Sequence, residues 1–553
     1  MARTYNDKMF IETFEHGFTW LNGFLRNVAR YHDRPAVIDP LTERSWNYTQ
    51  LNEEANRLAN ALRADGVGKD DVVMTVLMNC PEFAFTYVGP RKVGAILNPA
   101  NFNLAPGEIA LLMDHNRPKV FIYSAEVRDM AEKAMKLAKY PPVRAVMADN
   151  VKGLPLPEGH ITYEDYVAGK STENPVMDFV PHIYDEVLRL CTSGTTALPK
   201  SVPLNDINDV LSAHDVIMHY PMNSRDVTMN MTPWFHRGGC HCGGPGPCLY
   251  VGACMVISRT FLPRQCLQWV EKYKVTFLMG APSSLEMLSR TQTRHPCDLS
   301  SLKGLVTMGA PFEKAACMQY LETLTPRIFN GYGTTETFWN SFLRPYDLPE
   351  YAGTAGGSCI DDEVRLVKLY KDRHKAEPDE LIPADGETPG EIIIRSPAKS
   401  TFSYYKNAEE EKKKFYKGWM YTGDVGTWTD NRYITINGRK DDMIVCAAEN
   451  IYPTQIEEVL NSFGKVADSL VTSVPDKVRG QAVVAYVIPA DPSLTVEEVA
   501  DFCLNSPMLP FYKCPRFYRI IDEIPHTATG KKLRNPMREQ AAKDLEAGLL
   551  KRP

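Results

Sequence analysis

The chain has 553 residues, which corresponds to roughly three or four structural units at about 150 residues each. Hydrophobic residues make up 44% and charged residues 24%, so the composition excludes a disordered or fibrous chain and indicates a globular protein with a large core. The 62 basic and 68 acidic residues leave a net charge of −6, which argues against nucleic-acid binding as the main activity.

The sequence also carries signals about location. Residues 1–19 lack the apolar stretch of a secretory signal, and no apolar run approaches the roughly 20 residues that span a bilayer. The 13 cysteines are scattered, which is typical of reduced thiols. We therefore expect a cytoplasmic protein without a transmembrane segment, whose oligomeric state the sequence leaves open.

Helix and strand patterns alternate through the first 180 residues. Leu51, Ala55, Leu58 and Leu62 recur at helical spacing, and Gly66 follows as a stop signal. Strands are predicted at Val72–Leu77 and Val120–Tyr123, and helices from Pro81, with a kink at Pro90, and at Ile109–His115. This alternation indicates βαβ units and parallel sheet.

The middle of the chain repeats this rhythm. Val275–Met279 and Leu305–Met308 are predicted strands, and Ser283–Ser289 between them is a predicted helix. Residues 366–395 are shorter in pattern and rich in turns, which is typical of a small β-rich subdomain.

Beyond residue 438 the pattern becomes that of a compact α+β unit. Helices are predicted at Ile456–Leu460 and Val496–Leu504, with a strand at Ala482–Ile488 between them. Just before this unit, the run Glu409–Lys414 holds three glutamates and three lysines, and we interpret it as a solvated helix face with i,i+3 ion pairs and no function.

The sharpest motif is Leu190–Lys200, in which hydroxyl residues surround a glycine and a lysine closes the segment. Such side chains and exposed backbone N–H groups can surround phosphate oxygens, while the lysine supplies a mobile positive charge. The spacing differs from that of a Walker A loop. Taken alone, the segment also fits an ordinary Ser/Thr/Gly surface loop.

Four further motifs follow downstream. Asn330–Glu336 combines two glycines that let the backbone approach a ligand closely with an aromatic ring that can cover a base, and its Thr335-Glu336 offers a phosphate donor and an oxygen ligand for Mg²⁺. Tyr421–Asp424 and Gly438–Asp442 supply acidic and basic groups, the former with a carboxylate that can accept from both hydroxyls of a ribose, and Pro525–Lys532 places a lysine on a glycine-containing loop. Each of these alone also fits an ordinary turn.

Together and in this order, the five motifs resemble the adenylate-forming superfamily of acyl-CoA synthetases, peptide-synthetase adenylation domains and luciferases, and most of all its acyl- and aryl-CoA ligases. The resemblance runs from about residue 19 to about residue 537. It implies an α/β fold whose large N-terminal region, 1–437, holds two parallel-sheet subdomains and a small β-rich subdomain. A mobile α+β C-terminal domain, 438–553, would follow, with its hinge at Asp441.

The resemblance also implies a nucleotide site. Tyr332 matches the residue that stacks on adenine, Thr335 the one that bonds the α-phosphate, and Glu336 the Mg²⁺ ligand. Lys531 matches the catalytic lysine. The remaining ATP- or AMP-binding positions implied are Thr192, Ser193, Gly194, Thr195, Thr196, Lys200, Gly309, Ala310, Pro311, Asn330, Gly331, Gly333, Thr334, Asp424 and Arg439.

The implied reaction has two halves and uses ATP, Mg²⁺ and CoA. A carboxylate attacks the α-phosphorus of ATP, giving an acyl-adenylate and pyrophosphate. The C-terminal domain then rotates about Asp441 and removes Lys531, and a thiol displaces AMP. The expected partners are therefore a small carboxylic acid, ATP and CoA, with no nucleic acid.

An acyl pocket is implied next to the nucleotide. Trp234, Phe235 and His236 match residues that border the acid in the family, and Met308 and Gly309 line the same region. Phe338 and Trp339 follow the Thr-Glu motif and would cap the far end of the pocket. Their bulk favours a short, medium-chain, branched or single-ring acid over a long chain.

Two segments depart from the family pattern. Ala197 stands where the phosphate loop usually has glycine, which would reshape the loop if that position needs a positive φ. The channel for the CoA thiol is implied at Cys446, Ala447, Ala448 and Glu449, where CoA-dependent members usually read Gly-Gly-Glu-Asn. Two added methyl groups narrow such a channel, whereas the retained Glu449-Asn450 favours CoA.

Three alternatives stay open. An enzyme of this type could load the acid onto a carrier-protein pantetheine instead of CoA, or the chain could be a catalytically silent nucleotide-binding regulator. Separately, Cys240, Cys242 and Cys248 lie close to His236 and His241 and invite a zinc interpretation. Their spacing fits no common zinc site, so buried or pocket-lining thiols are favoured.

Overall fold

The structure is a computed structural model, and it describes residues 7–192, 200–310, 312–370, 374–446, 449–476, 480–506, 509, 511–527 and 531–553. Within these ranges the chain forms four sheets, two of them large and mainly parallel. No helix in the described ranges is long and apolar enough to cross a membrane.

The first large sheet has seven strands. In spatial order they are Ile161–Thr162, Arg144–Ala148, Pro118–Ser124, Val72–Val76, Ile96–Pro99, Glu186–Thr192 and Lys200–Asn205. All neighbours are parallel except the last pair, where Glu186–Thr192 runs antiparallel to Lys200–Asn205 and Thr192 lies opposite Lys200. The central strand Val72–Val76 is buried at every position, as its run of β-branched and apolar residues predicts for parallel sheet.

The second large sheet has nine strands. In spatial order they are Gly357–Ser358, Phe338–Leu343, Ile328–Thr334, Gly304–Met308, Phe277–Gly280, Val227–Asn230, Cys254–Val256, Pro35–Asp39 and Arg44–Asn47. The strands from Ile328–Thr334 to Pro35–Asp39 are parallel, and the outer neighbours are antiparallel. The carboxyl ends of the parallel strands thus meet at one edge, which is where ligands bind in open α/β sheets.

Helices cover the large sheets and bury their apolar faces. The N-terminal region contains Asp7–Ile11, Trp20–Arg30, Tyr48–Ala64, Pro81–Val88, Pro106–Asn116, Arg128–Leu137, Tyr163–Val167, Asp206–His219, Arg237–His241, Pro245–Val251, Pro263–Tyr273, Pro282–Arg294, Lys314–Thr323 and Ala408–Lys414. A π-helical turn spans Glu12–His16, and 3₁₀ turns span Pro90–Val93, Ala125–Val127 and Pro345–Asp347. Many of these helices begin at proline, whose missing N–H costs nothing in the first turn.

The β-rich subdomain is antiparallel. Its strands are Glu363–Val367, Gly390–Arg395, Trp419–Trp428 and Phe415–Tyr416, and Ile434–Arg439 pairs with Trp419–Trp428. The C-terminal sheet follows, with Glu449–Ile451, Ile444–Cys446, Gly480–Pro489, Val466–Asp476 and the parallel strand Phe517–Ile520. Helices Pro453–Asn461, Val496–Asn505 and Arg534–Glu546 and a 3₁₀ turn at Phe511–Lys513 pack against it.

The predicted fold class is confirmed: two parallel-sheet subdomains and a small β-rich one precede an α+β unit. One local prediction was wrong. Pro90 does not kink a continuous helix, because helix Pro81–Val88 ends before Gly89 and a 3₁₀ turn begins at Pro90. Proline has no N–H to donate to the preceding turn and its ring clashes with that turn, so the α-helix ends there, although Gly89 itself keeps helical dihedral angles.

Candidate active site

Asp424 is the centre of the polar site. It lies on strand Trp419–Trp428 directly opposite Arg439 of the neighbouring strand. Arg439 Nη1 donates to Asp424 Oδ1 at 2.8 Å, and the Tyr332 hydroxyl donates to Asp424 Oδ2 at 2.6 Å. Both carboxylate oxygens are therefore already engaged. Burial, together with the charge of Asp424, raises the pKa of Tyr332 well above its usual value.

Lys531 reaches this centre from the C-terminal domain. The loop that carries it is closed by a bridge between His526 and Lys532. Although solvent still reaches the side chain, the surrounding protein desolvates the amine and lowers the pKa of Lys531; Asp424 opposes this shift and Arg439 adds to it. Lys531 and Arg439 are thus both close enough to the Asp424 carboxylate to interact with its charge, and together they leave positive charge for an anionic ligand.

Glu336 is buried beside this group, with 8% of its surface exposed. The Tyr404 hydroxyl donates a short hydrogen bond to Glu336 Oε1. The buried Arg237 donates to the Thr335 carbonyl at 2.7 Å and is attracted by the charge of Glu336. A single carboxylate at the mouth of a phosphate site is the kind of ligand that Mg²⁺ takes together with phosphate oxygens, so the residues present fit this ion.

Lys200 closes the phosphate-loop motif and is paired. Its Nζ lies 2.5 Å from Glu410 Oε2 and 5.6 Å from the centre of the Tyr404 ring. Glu410 belongs to the charged run that we interpreted as a solvated helix face with i,i+3 ion pairs. The predicted pairs form between Glu409 and Lys412 and between Glu410 and Lys413, but Glu410 itself is half-buried and not on a solvated face. The predicted positions Ser193, Gly194, Thr195, Thr196, Ala197 and Pro311, and the side chain of Thr192, lie outside the described residues.

The predicted acyl-pocket residues at 234–236 lie on one turn. Trp234 and Phe235 are buried and pack edge-on against Phe83 and Phe102, with ring centres 5.6 and 5.2 Å apart. The His236 ring is 4.2 Å from the Phe235 ring. Burial, reinforced by the charge of Lys531, lowers the pKa of His236 to about 4, so the imidazole is neutral at physiological pH.

Glycine at 331 and 333 permits close packing between strands Ile328–Thr334 and Phe338–Leu343. A Cβ at Gly331 would lie 2.7 Å from Nε1 of Trp339, and one at Gly333 would lie 1.5 Å from the carbonyl oxygen of Phe338. Phe338 and Trp339 are buried and stacked, with ring centres 4.7 Å apart. These two rings form a wall directly behind the backbone of the Tyr332 motif.

Further predicted positions line the same edge. Gly309 follows strand Gly304–Met308 with a φ of 89°, a conformation that favours glycine, and Ala310 comes next. A Cβ at Gly238 would lie 2.9 Å from the Met308 sulfur, which places Met308 against the helix that follows His236. Asn330 donates to the Thr354 carbonyl at 3.2 Å.

The cysteine cluster is buried. Cys240, Cys242 and Cys248 are each at most 1% exposed. Cys240 Sγ lies 2.9 Å from His241 Nδ1, and the other ring nitrogen of His241 bonds to the fully buried carboxylate of Asp209. With His241 engaged on both ring nitrogens, the group is a packed hydrogen-bond network within the core.

The positions predicted for the thiol channel and hinge lie at the start of the C-terminal domain. Cys446 is buried in the core of that domain, while Ala447, Ala448 and the side chain of Glu449 lie outside the described residues. Asp441 is exposed in the turn between strands Ile434–Arg439 and Ile444–Cys446.

Sequence reasoning missed three residues at this site: Arg237, Tyr404 and Glu410. Arg237 immediately follows His236, but nothing in one sequence says that its guanidinium is buried. Tyr404 lies in a loop without any motif. For Glu410 the sequence does hold a signal of a different environment. Helical spacing places it on the same face as Lys414 and on a different face from Glu409 and Lys412.

Two family models match the chain. One described as "AMP-binding enzyme" matches residues 24–405, and one described as "AMP-binding enzyme C-terminal domain" matches residues 455–531. The site described above takes Tyr332 and Glu336 from the first matched region and Lys531 from the end of the second, while Asp424 and Arg439 lie between the two regions.

Two similar proteins are both named as CoA ligases. The chain is 29% identical over 525 residues to the indoleacetate–CoA ligase of Aromatoleum aromaticum, across 93% of this chain and 98% of the relative. It is 27% identical over 537 residues to 4-coumarate–CoA ligase 2 of Solanum tuberosum, across 93% and 92%.

A solved structure shows the same fold. The anthranilate CoA ligase AuaEII in complex with anthranoyl-AMP superimposes with a TM-score of 0.84 at 24% identity, over 96% of this chain and 98% of that one. The first family model alone matches more than half of the chain, and the resemblance inferred from the motifs is thereby confirmed. The chain belongs to the family of AMP-binding enzymes.

Proposed function

We propose that this protein is an AMP-forming carboxylic acid–CoA ligase that converts an acid, ATP and CoA into an acyl-CoA, AMP and pyrophosphate. The observation that carries the proposal is the convergence of Lys531 with Asp424 and Arg439, because it brings the lysine of the second domain to the carboxylate of the first. The names of the relatives, which are CoA ligases, support the same reaction class.

In the first half-reaction two anions must meet. The acid carboxylate attacks the α-phosphorus and pyrophosphate leaves, so the site must neutralise charge on both partners. Lys531, with Thr335 as a phosphate donor, would neutralise it at the reacting atoms. Glu336 would hold Mg²⁺, which supplies further positive charge to the phosphates when bound. Asp424 would accept from the ribose hydroxyls while Arg439 orients it, and Tyr332 would cover adenine.

The second half-reaction requires Lys531 to leave. We propose that residues 438–553 turn about Asp441 and expose the segment Cys446–Glu449 to the cleft. The CoA thiol then attacks the acyl carbon and AMP departs. His236 borders the acid and, being neutral, adds no charge beside the carboxylate.

The substrate class we propose is an aryl acid or a short to medium-chain acid. The rings of Phe338 and Trp339 are buried and stacked, and as the proposed far end of the acyl pocket they favour a flat or compact acyl group. Two relatives named for indoleacetate and 4-coumarate support an aromatic acid.

The test is release of pyrophosphate and AMP from ATP across acetate, medium-chain acids, benzoates, arylacetates and cinnamates, with and without CoA. CoA-dependent AMP release on the aromatic or short acids is expected. Pyrophosphate release that CoA does not accelerate would instead favour loading of a carrier-protein pantetheine. No ATP binding at all would reject the proposal in favour of another role.

A further inference from the structure

Helix Ala408–Lys414 ends beside the candidate nucleotide site, and its three lysines differ in environment. The side chains of Lys412 and Lys413 are 76% and 68% exposed and pair with glutamates of the same helix. Lys414 is instead half-buried, and its Nζ donates to the Thr422 carbonyl at 2.7 Å. Only this lysine of the run faces the cleft.

The Thr422 carbonyl connects Lys414 to the site. The same oxygen accepts from Arg439 at 3.0 Å, and Thr422 lies two residues before Asp424. Among the described residues, Lys414 forms no ion pair with a carboxylate, and its Nζ bonds to the Thr422 carbonyl instead. Burial lowers the pKa of Lys414, while the charges of Glu336 and Asp424 oppose this shift.

A purely structural role does not explain why the Lys414 amine is withdrawn from water. A lysine in the last turn of a helix interacts favourably with the helix dipole, but an exposed side chain such as that of Lys412 achieves this without loss of hydration. Lys414 gives up water beside Lys200 and Arg439, which repel it. The repulsion among Lys414, Lys200 and Arg439 is offset when an anion binds between these three cations.

We propose that Lys414 binds phosphoryl oxygens of the nucleotide, between the ribose side of the site at Asp424 and the metal side at Glu336. The Thr422 carbonyl engages one N–H of the ammonium and leaves two for charge-assisted bonds to phosphate. This inference rests on the proposed function, since it presupposes that a nucleotide occupies this cleft.

Calorimetric titration of ATP in the presence of Mg²⁺ tests this role without turnover. Lys414→Met keeps the aliphatic stem and is expected to weaken ATP binding at least tenfold, and Lys414→Arg is expected to restore part of the loss. Lys412→Met, on the exposed face of the same helix, should bind ATP like the unmodified protein. The unfolding temperature without ATP should be equal in all four proteins, whereas its increase with ATP should be smaller in Lys414→Met.

The outcomes separate this inference from the proposed function. If the unmodified protein binds ATP and Lys414→Met binds it within twofold, the role of Lys414 is refuted while the ligase proposal stands. An equal loss in Lys412→Met would also refute it, because a general charge effect would then suffice. If Lys414→Met does not fold, Lys414→Gln and Lys414→Arg provide the same comparison. Absence of ATP binding by the unmodified protein would overturn both.

Discussion

Phe338 adopts a backbone conformation that is unusual for its residue type. Its φ is 59°, while its ring is 2% exposed and stacks on Trp339. A left-handed conformation costs a non-glycine residue roughly 1–2 kcal/mol, so the packing of the ring must offset this cost. The strain lies exactly one residue beyond the Thr335-Glu336-Thr337 segment, where it turns the strand back against Gly333.

This strain predicts that glycine at position 338 is more stable than alanine, which reverses the usual order of the two residues in a strand. Both Phe338→Ala and Phe338→Gly lose the buried ring, but only alanine keeps a Cβ in the left-handed region. We expect Phe338→Gly to be more stable to urea than Phe338→Ala by roughly 0.5–1 kcal/mol. Phe342, buried in the same strand at negative φ, is the control, and there alanine should be the more stable. Alanine proving better at both positions would contradict the prediction.

The proposed role of Lys531 predicts that its replacement affects adenylate formation and thioester formation differently. Lys531→Ala should reduce adenylate formation by at least about 100-fold, because the positive charge at the reacting phosphate is lost. Thioester formation from supplied acyl-adenylate and CoA should stay within a few-fold of normal, since the lysine has by then left the site. Equal loss in both assays would show that the variant damages the fold or that the role is different.

The same lysine predicts a pH dependence. The ammonium form exists below the pKa of Lys531, and burial lowers that pKa. Adenylate formation should therefore decline as the pH rises through a value below the usual pKa of lysine, about 10.4. A pH–rate profile of pyrophosphate release measures this limb. Lys531→Arg, which stays protonated, should move the limb to higher pH, and an unmoved limb would assign it to another group.

At the scale of the elements, the short helix Arg237–His241 connects the candidate site to the protein core. Its last residue, His241, bonds to Asp209, whose carboxylate also accepts from Arg91 at 2.7 Å and from Tyr87 at 2.8 Å. Its first residue, Arg237, donates to the Thr335 carbonyl. One end of the helix is thus fixed to the core while the other contacts the backbone of the proposed catalytic motif.

Replacing Asp209 tests this support. Asp209→Asn leaves the Arg91 guanidinium buried without its ion partner, and removal of one member of a buried pair costs about 3–5 kcal/mol. The midpoint of urea unfolding should fall accordingly. Glu132→Gln, which removes an exposed pair with Lys136, should leave the midpoint unchanged.

Asp209 also predicts the response to acid. Burial would raise its pKa, but Arg91 and His241 outweigh this and hold the pKa of Asp209 below its usual range. The folded pKa is therefore below the unfolded one, so this contribution to stability is complete above about pH 4 and is lost as the pH falls further. The difference in stability between the unmodified protein and Asp209→Asn should narrow at acidic pH.

How much the sequence predicts also differs between elements. Periodicity located strands such as Val72–Val76 because a buried parallel strand is apolar at every position. The glycines of the motif at 330–336 were expected to let a ligand approach the backbone, whereas in the structure they make room for Trp339 and Phe338 of the neighbouring strand. The charged run at 409–414 was misread as one face, since the pairing of Glu410 with Lys200 depends on a contact 210 positions away in the chain.

At the scale of the molecule, two domains meet at the cleft. Glu313, at the start of a helix in the N-terminal region, hydrogen bonds to Asn461 of the C-terminal domain, and Lys532 lies nearby. The Thr454 hydroxyl also donates to the Asn437 carbonyl across the boundary. These contacts are polar, as in domain interfaces that rearrange.

The proposed hinge predicts the opposite of the Lys531 variant. Among the described residues, the Asp441 amide donates no backbone hydrogen bond, so proline removes none in this arrangement. Asp441→Pro should keep adenylate formation within a few-fold but reduce thioester formation at least tenfold, because proline fixes φ. Asp441→Ala, which leaves φ free, should support both steps. Full thioester activity in Asp441→Pro would place the hinge elsewhere.

The pairing of Asp424 with Tyr332 and Arg439, of Glu336 with Tyr404 and of Lys200 with Glu410 has an energetic consequence. A nucleotide that binds here meets groups that already have hydrogen-bond or ion-pair partners, and it must displace those partners to bind. Each new bond to one of these paired groups replaces an existing one, so the net gain per contact is small and affinity is set by how many exchanges succeed together. A ligand that matches only part of the set breaks internal pairs without replacing them. The paired groups therefore discriminate against incomplete ligands before any chemistry begins.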